Sequence, residues 1–597
     1  STPTSMIPPL YCKTMTKFAF FWFGGSLLLV GLSFAKVYPA IYLARLFADS
    51  DGLSKLFEAL LQTSQWHIAF SMLIGGFIAI LFSTAANKHS SPDFKRPLCF
   101  LSCAIPLLGF FLAALVQWLV FDNIPHITDA TSHWFQAKLF ASGHLFAQAP
   151  KCPDAFFQHN VLIGPEGQWH TKYFPGQALW LSLPLRTCLM PLAFAFFLVA
   201  TRRVLSRHFD AGVTNVSTLL LATSPLMLLL SASFMSHITL LMWISATWAF
   251  LLACIHPRPR ALHTITLASA VGFCAGMALL TRPQDAALFG IVIAAFTLPA
   301  LLRQKKLLLQ TTLGCLLGGI FPFLFLLAWN HHLYGRFWTT GYNFSGTGLL
   351  SQTPVIQDSF GLSAAYPWTR ALSQFFWVGL RLNQALLGWP TALLFLLPAL
   401  ILPSVRKVNG LLLAAASFLY LPYFFFHYYG FELEARYAAP AAPFLVVIIA
   451  RTIVACFRWK ASSIVRPFLI AGLSACCLYA ATYYWPVYLY PRYAGSYEEA
   501  SPCIHRLAQN AELESPAIIL LPNEGFGYSS GFIYNDPELH APILYARYLP
   551  STFPCLKEAF PDHHFYRYLQ TAGSPFGGHF IPLRFFPQET ANHDISS

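Results

Sequence analysis

A polar segment rich in ionisable side chains directly follows an apolar run at 98–121. The segment begins at Asp122 and reads DNIPHITDATSHWFQAKLFASG as far as Gly143. Asp129 is its strongest chemical candidate, because a carboxylate is ionised at pH 7 and can accept a proton from an attacking hydroxyl. Asp129 or Thr128 could instead be the N-cap of the helix that follows. The spacing alone leaves both interpretations open.

Further polar clusters lie at the ends of other apolar runs. Lys172 in HTKYFPG is either a snorkelling side chain or a cation for a phosphate. Arg282 in LLTRPQDAALF either pairs with Asp285 or binds a phosphate through two parallel hydrogen bonds, and Arg436 in ARYAAPAAP repeats this arrangement. Several such clusters at one membrane depth predict a shared polar cavity. The remaining candidates, for binding a sugar or an acceptor, are His133, His170, Tyr173, His237, Asp285, Glu434 and Tyr437.

The elements that position these residues are predicted to be membrane-spanning helices. Hydrophobic residues make up 56% of the chain and charged residues 10%, whereas a soluble domain has about 25% charged residues. The composition therefore predicts a polytopic α-helical membrane protein. About thirteen apolar runs are long enough to cross a bilayer. They lie near 18–35, 68–86, 98–121, 174–200, 213–232, 237–255, 262–280, 286–302, 309–329, 385–403, 409–426, 438–456 and 465–486.

The cationic residues predict the orientation of these helices. If the N-terminus is cytoplasmic, every inner connection carries Lys or Arg and almost no acid, as the positive-inside rule requires. The same rule explains the net charge of +13 without nucleic acid as a partner. We therefore expect the polar clusters and the C-terminal region on the outer side, in the periplasm if the membrane is a bacterial inner membrane.

The same pattern predicts three regions. Residues 1–97 form an N-terminal two-helix addition, 98–486 a transmembrane module with outer loops at 122–173 and 330–384, and 487–597 a small α/β domain. The loop at 122–173 has a helical pattern that ends near Gly143. The thirteen cysteines show no metal-ligand spacing, although Cys503 and Cys555 could pair if the tail is oxidised.

Several of these segments resemble one enzyme family. TDATSHWFQAKLFASGHL and WHTKYFPGQALWLSLPL resemble the start of GT-C-type glycosyltransferases, which include protein O-mannosyltransferases and lipid A aminoarabinose transferases. LLTRPQDAALF and ARYAAPAAP resemble later segments of that family, and the resemblance covers roughly 98–460. It implies a GT-C-like fold. It also implies inverting transfer of a sugar from a polyprenyl-phosphate donor to an extracytoplasmic glycan, lipid or protein acceptor.

The resemblance also implies roles for single residues. Asp129 matches the family's general base, whereas Lys172, Arg282 and Arg436 become candidates for binding the donor phosphate. Ala130 departs from the pattern, because family members often have a second acid there, so no metal or other cofactor is expected beyond the lipid-linked sugar. Two alternatives remain: a transporter or flippase of a lipid-linked or anionic solute, and a non-catalytic scaffold whose tail binds a partner. The largely apolar centres of the spans argue against transport.

Overall fold

The computed structural model describes residues 98–255, 261–344, 368–396, 403–424, 432–458, 465–523, 527–571 and 577–583. The predicted spans at 18–35 and 68–86, and with them the N-terminal addition, lie outside the described residues. So does the middle of the predicted outer loop at 330–384.

The chain folds into two compact units. The helical unit draws its described residues from Ser1–Val120, Leu185–Leu326 and Ile356–Ala494. The loop–tail unit draws its described residues from Phe121–Pro184, Leu327–Val355 and Gly495–Ser597. The acidic loop and the C-terminal tail, far apart in sequence, therefore belong to one unit.

Apolar helices make up the membrane-spanning part of the chain. Five described helices are long and apolar enough to cross a membrane, and a pair bent by 52° adds a sixth if it counts as one span. The protein is thus a multi-pass α-helical membrane protein. The five are Arg186–His208, Ser236–Ile255, Ala261–Thr281, Pro283–Leu302 and Lys305–Tyr334, and the bent pair is Ala211–Ala222 with Pro225–Ala232. Further helices are Leu98–Leu119, Trp368–Ala385, Pro403–Phe424, Ala442–Arg458 and Val465–Tyr479, the last continuing as a π-helix over Ala480–Leu489 and a short turn at Tyr490–Tyr493.

Small residues allow two of the spanning helices to pack closely. A Cβ atom on Gly272 would clash with the backbone of Cys315, and one on Gly318 would clash with the backbone of Ser269. Each glycine belongs to a pair spaced by four residues, which is the usual small-residue pattern of close helix packing in membranes. The helices Ala261–Thr281 and Lys305–Tyr334 are therefore held by direct backbone contact.

Two of the predicted spans are placed wrongly. Residues 174–200 are not one helix. A short helix ends at Leu181, and Leu185 has a left-handed φ of 64° directly before the spanning helix Arg186–His208 begins. The span predicted at 385–403 is also wrong over its described part. There a helix ends at Ala385, and Gly388 has a φ of 69° just before Trp389 and Pro390. Glycine in this conformation followed by proline is a common helix stop.

The loop–tail unit contains two sheets. The loop contributes the helix Thr128–Ala141, called here the loop helix, and an antiparallel sheet with the central strand Gln168–Thr171 flanked by Ala147–Gln148 and Val161–Ile163. The tail contributes a mixed sheet in the order Ile543–Arg547, Ala517–Leu521, His564–Gln570 and Gly578–Pro582, of which the first three strands are parallel. This unit also has short helices at Gly176–Leu181, Cys503–Asn510, Ser529–Phe532 and Phe553–Ala559, and 3-10 turns at Tyr497–Glu499 and Pro550–Thr552. The 3-10 turns at Ala392–Phe395 and Arg436–Ala438 belong to the helical unit.

The loop and the tail share a hydrophobic core. Phe135 and Trp169 from the loop pack in one cluster with Ile518 and Leu544 from the tail sheet. A disulfide joins Cys152 of the loop to Cys555 of the tail, with a Cα–Cα distance of 5.9 Å. Cys503 is a free, exposed thiol, so the pairing of Cys503 with Cys555 that the sequence left open is not formed.

The disulfide generates a prediction about stability. Cys555→Ser should destabilise the loop–tail unit by about 2–4 kcal/mol, because the cross-link limits the unfolded chain. The measurement is thermal unfolding of the full chain in detergent, with peptide mapping of the bridge. Cys503→Ser is the matched control, since that thiol is unpaired and exposed. An equal loss of stability in both variants would contradict the prediction.

Candidate functional site

The loop helix begins at Thr128, one residue before the predicted catalytic candidate Asp129. Its N-cap is Ile127, and no side chain caps it, so the N-cap interpretation of Thr128 and Asp129 is wrong. Asp129 lies in the first turn, where a negative charge is favoured by the helix dipole. The helix ends at Ala141, and Gly143 two residues later has a φ of 85°.

Two side chains hold the Asp129 carboxylate from one side. Tyr173 Oη donates a hydrogen bond to Asp129 Oδ1 at 2.6 Å, and Asn160 Nδ2 donates to the same oxygen at 3.1 Å. Asn160 also donates to Thr128 Oγ1 at 3.3 Å. Asn160 has a left-handed φ of 66°, which asparagine tolerates better than most residues. Asp129 is partly exposed, so its orientation is fixed while solvent still reaches it.

Lys172 directly follows the strand Gln168–Thr171, and its charge interacts with that of Asp129. Its backbone N–H donates to the carbonyl of Asn160 at 2.9 Å, and its ammonium lies 5.2 Å from the ring centre of Tyr173 and 5.9 Å from that of Tyr342. Burial lowers the pKa of Lys172, and the negative charge of Asp129 opposes this shift. Gly341 packs against the Lys172 backbone so closely that a Cβ atom would clash. The lysine thus faces an acid and two aromatic rings.

The two predicted histidines of this region differ in environment. His170 is fully buried; its Nδ1 is hydrogen-bonded to the carbonyl of Gln168 at 2.9 Å and its Nε2 to Tyr334 Oη at 3.0 Å. Burial lowers the pKa of His170 to about 4, so it is neutral at pH 7. His133 is also buried, with its ring centre 4.8 Å from that of Tyr173. His170 therefore anchors the strand, whereas His133 packs on the tyrosine that holds Asp129.

A second group of predicted residues lies in the helical unit. Arg282 Nε donates to Asp285 Oδ2 at 2.6 Å, which is the internal pair that the sequence offered as one alternative. Arg282 Nη2 donates to Tyr423 Oη at 3.0 Å, and this hydroxyl donates to Asp285 Oδ1 at 2.6 Å. The three side chains form a closed ring of hydrogen bonds. Asp285 is almost completely buried and Arg282 is partly exposed.

Arg436 extends this group through aromatic contacts. The ring of Tyr437 lies 5.3 Å from that of Tyr423 and 6.5 Å from that of His237, measured between ring centres. The Arg436 guanidinium lies 5.0 Å from the centre of the Tyr437 ring, donates to its hydroxyl at 3.2 Å and pairs with Glu432 at 3.4 Å. The structure thus brings Arg282, Asp285, Arg436, Tyr437 and His237 into one cluster.

Glu434 lies at the centre of a separate buried network. Tyr493 Oη donates to Glu434 Oε1 at 3.1 Å, and Arg381 Nη1 donates to Oε2 at 3.3 Å. Tyr488 also donates to this carboxylate, and Arg492 forms an ion pair with it at 3.6 Å. Glu434 has a left-handed φ of 60°, a conformation that costs about 1–3 kcal/mol in a non-glycine residue. Its backbone N–H donates to Tyr493 Oη at 3.0 Å, which helps to hold this turn.

Several partners in these networks had no signal in the sequence. Tyr423 and Tyr488 lie within apolar stretches, where tyrosine is an ordinary packing residue. Asn160 could have been singled out only as a polar residue between two short strands. Among the described residues, no group of three or more His, Cys, Asp or Glu side chains could hold a metal ion. The shared cavity predicted from the sequence stays a prediction.

The fold is that of a multi-pass membrane protein whose acidic loop is folded together with its tail. No protein-family model and no curated protein matches the chain. Among solved structures, it is similar to ArnT from Cupriavidus metallidurans in the apo state. The TM-score is 0.44 and the sequence identity 14%, over 74% of this chain and 85% of that one.

Two further structures are similar at the same level. ArnT from Cupriavidus metallidurans bound to undecaprenyl phosphate gives a TM-score of 0.44 at 15% identity, covering 74% of this chain and 85% of that one. The Archaeoglobus fulgidus oligosaccharyltransferase in the apo form gives 0.43 at 12% identity, covering 76% of this chain and 62% of that one.

The electrostatic interaction of Lys172 with Asp129 generates a prediction about ionisation. Competitive amine labelling of the full chain across pH should give Lys172 a pKa below its ordinary value. Asp129→Asn should lower this pKa further, because it removes the negative charge that favours the ammonium form. Asp154→Asn, in the same loop, should leave it unchanged. A Lys172 pKa that stays the same or rises in the Asp129 variant would contradict this electrostatic description.

The buried pair in the helical unit generates a prediction about stability. Asp285→Asn should cost about 3–5 kcal/mol, because it leaves the Arg282 charge without its carboxylate. Asp210→Asn is the matched control. Asp210 pairs with Arg458 at 2.7 Å in an exposed position, and asparagine can still cap the following helix, so the expected cost is about 0–1 kcal/mol. Equal shifts in Tm for the two variants in detergent would rule out the buried pair as the stronger one.

Proposed function

We propose that the chain is a membrane glycosyltransferase. It moves a sugar from a polyprenyl-phosphate donor to a glycan, lipid or protein acceptor on the extracytoplasmic side, with inversion at the anomeric carbon. Asp129 is the general base in this proposal. The supporting observation is the arrangement around Asp129, in the segment that carries the family resemblance: an oriented, partly exposed carboxylate with a lysine beside it.

The reaction follows from these groups. Asp129 takes the proton of the acceptor hydroxyl while the acceptor oxygen attacks the anomeric carbon of the donor. The bond from that carbon to the phosphate oxygen breaks on the opposite face, and its electron pair leaves with the polyprenyl phosphate. Tyr173 and Asn160 keep the carboxylate in one orientation, which lowers the entropic cost of reaching the transition state. A cation near the leaving phosphate stabilises the developing negative charge.

Three cations are proposed as contacts of the donor phosphate, each on its own grounds. Lys172 neighbours the proposed base. Arg282 and Arg436 belong to the segments that resemble the family, and a guanidinium binds phosphate through two parallel hydrogen bonds. Arg282 retains partial exposure despite its pair with Asp285. His133, His237 and Tyr437 remain proposed contacts of the sugar or the acceptor.

The proposal includes the number of membrane spans and the side of the membrane on which the loop–tail unit lies. About thirteen spans, a cytoplasmic N-terminus and a periplasmic loop–tail unit account for the cationic connections on one side. The disulfide between Cys152 and Cys555 supports this sidedness, since disulfides persist in oxidising compartments. A bacterial inner membrane fits both features.

The proposal predicts the effect of one conservative change. Asp129→Asn should lower the transfer rate by about 10²–10⁴-fold, because a general base contributes that much and an amide cannot accept the proton. The asparagine Oδ1 can still accept the bonds from Tyr173 and Asn160, so folding should be retained. The measurement is release of undecaprenyl phosphate by the full chain in nanodiscs supplied with undecaprenyl-phosphate-linked sugars and an envelope extract as acceptor.

Controls separate this result from the alternatives. Asp154→Asn, in the same loop, should keep the wild-type rate. Full activity in the Asp129 variant would end the assignment of the base. Movement of a lipid-linked sugar across proteoliposomes without release of carrier phosphate would instead favour the transporter or flippase.

A further inference from the structure

A buried arginine that is not among the residues proposed above lies at one edge of the tail sheet. Arg547 is the last residue of the strand Ile543–Arg547 and is paired in register with Leu521, the last residue of the neighbouring parallel strand. The carboxyl ends of two parallel strands therefore meet at Arg547. In open α/β sheets, this edge is where ligands commonly bind.

No described acidic side chain balances the charge of Arg547. The residue is 7% exposed, and none of the described carboxylates forms an ion pair with it. Its Nη1 donates to Asn523 Oδ1 at 3.0 Å, whereas its buried Nε has no hydrogen-bond partner. The guanidinium lies 4.0 Å from the ring centre of Tyr528 and 4.9 Å from that of Phe157. A buried cation is normally paired or bound to a ligand. Within the described part of the chain, Arg547 has no counter-ion.

A short chain of contacts joins Arg547 to the Asp129 region. Tyr528 Oη, under the guanidinium, is hydrogen-bonded to His159 Nδ1 at 2.8 Å. The next residue, Asn160, donates to Asp129. Burial lowers the pKa of His159, and the positive charges of Arg547 and Lys172 lower it further, so both cations act on this ring.

The geometry points to a phosphate-binding subsite formed by Arg547, Asn523, Tyr528 and His159 at the carboxyl edge of the tail sheet. A phosphate supplies the missing negative charge and oxygens that a guanidinium binds in parallel pairs. Asn523 is exposed, and Phe157 and His159 are partly exposed, so the cluster reaches the surface. Both an acceptor and the polyprenyl carrier could supply such a phosphate. Only the choice between these two sources rests on the proposed function.

A binding experiment without turnover tests the subsite. Inorganic phosphate is titrated into the full chain in maltoside micelles, which contain no phosphorus, and its affinity is measured from 31P line broadening. Arg547→Gln should weaken this affinity by about tenfold or more, because it removes charge-assisted hydrogen bonds. Asn523→Ala, at an exposed position, should weaken it about two- to tenfold and should keep the wild-type Tm.

Arg567→Gln is the matched control. Arg567 also belongs to the tail sheet and also lies 4.0 Å from a tyrosine ring centre, that of Tyr548. Its strand register pairs it with Leu520, whereas Arg547 pairs with Leu521, so the two arginines extend from opposite faces of the sheet. Wild-type affinity in Arg567→Gln is therefore expected. An equal loss in this variant, or no loss in Arg547→Gln, would overturn the inference.

Two further outcomes are defined in advance. If Arg547→Gln does not fold, as judged by loss of the Cys152–Cys555 bridge, Asn523→Ala decides, and an unchanged phosphate affinity in that variant overturns the subsite. Competition with undecaprenyl phosphate identifies the source. Loss of the Arg547-dependent broadening assigns the subsite to the carrier phosphate, and its persistence assigns it to the acceptor. An inactive transferase leaves this result unaffected, because no transfer is measured.

Discussion

The packing of the acidic loop against the tail sheet is the constraint on which the Asp129 region depends. Phe135 and Leu139 on the loop helix are buried in one cluster with Ile518 and Leu544 of the tail. Burying a large apolar side chain stabilises a fold by about 1.5–3 kcal/mol. Because Asp129 lies in the first turn of the same helix, this burial sets its position relative to Tyr173 and Asn160. A loop between two membrane segments thereby gains the rigidity of a folded domain.

Tyrosine recurs as the partner of the acids that the sequence singled out. Tyr173 donates to Asp129, Tyr423 to Asp285 and Tyr493 to Glu434. A phenolic hydrogen bond stabilises a carboxylate without adding a charge that would itself need a partner. At Asp285 and Glu434, arginines supply the compensating charge as well. At Asp129 the neighbouring cation is Lys172, whose charge burial disfavours. The arrangements at Asp285 and Glu434 resemble structural ion pairs. The carboxylate of Asp129, in contrast, is partly exposed and better suited to accept a proton.

The sequence predicted features that depend on local pattern and missed those that depend on distant contacts. The loop helix follows from the spacing of its apolar residues, and the pair of Arg282 with Asp285 is one of the two alternatives that the sequence offered. The partner of Cys555 could not be predicted, because Cys152 lies 403 residues away. The prediction of a span at 385–403 was wrong for a local reason that the sequence contains. Gly388, followed by Trp389 and Pro390, stops a helix even in an apolar run.

Two independent features bear on the side of the membrane that the loop–tail unit occupies. One is the series of cationic connections, which reflects how helices insert. The other is the bridge between Cys152 and Cys555, which reflects the redox state of a compartment. A cytoplasmic loop–tail unit would place this bridge in a reducing environment and the cationic connections outside. Both features agree with the proposed orientation, which is the one that a lipid-linked donor used outside the cytoplasm would require. The bridge also joins the loop that carries Asp129 to the tail, so an oxidising compartment stabilises the scaffold of the proposed base.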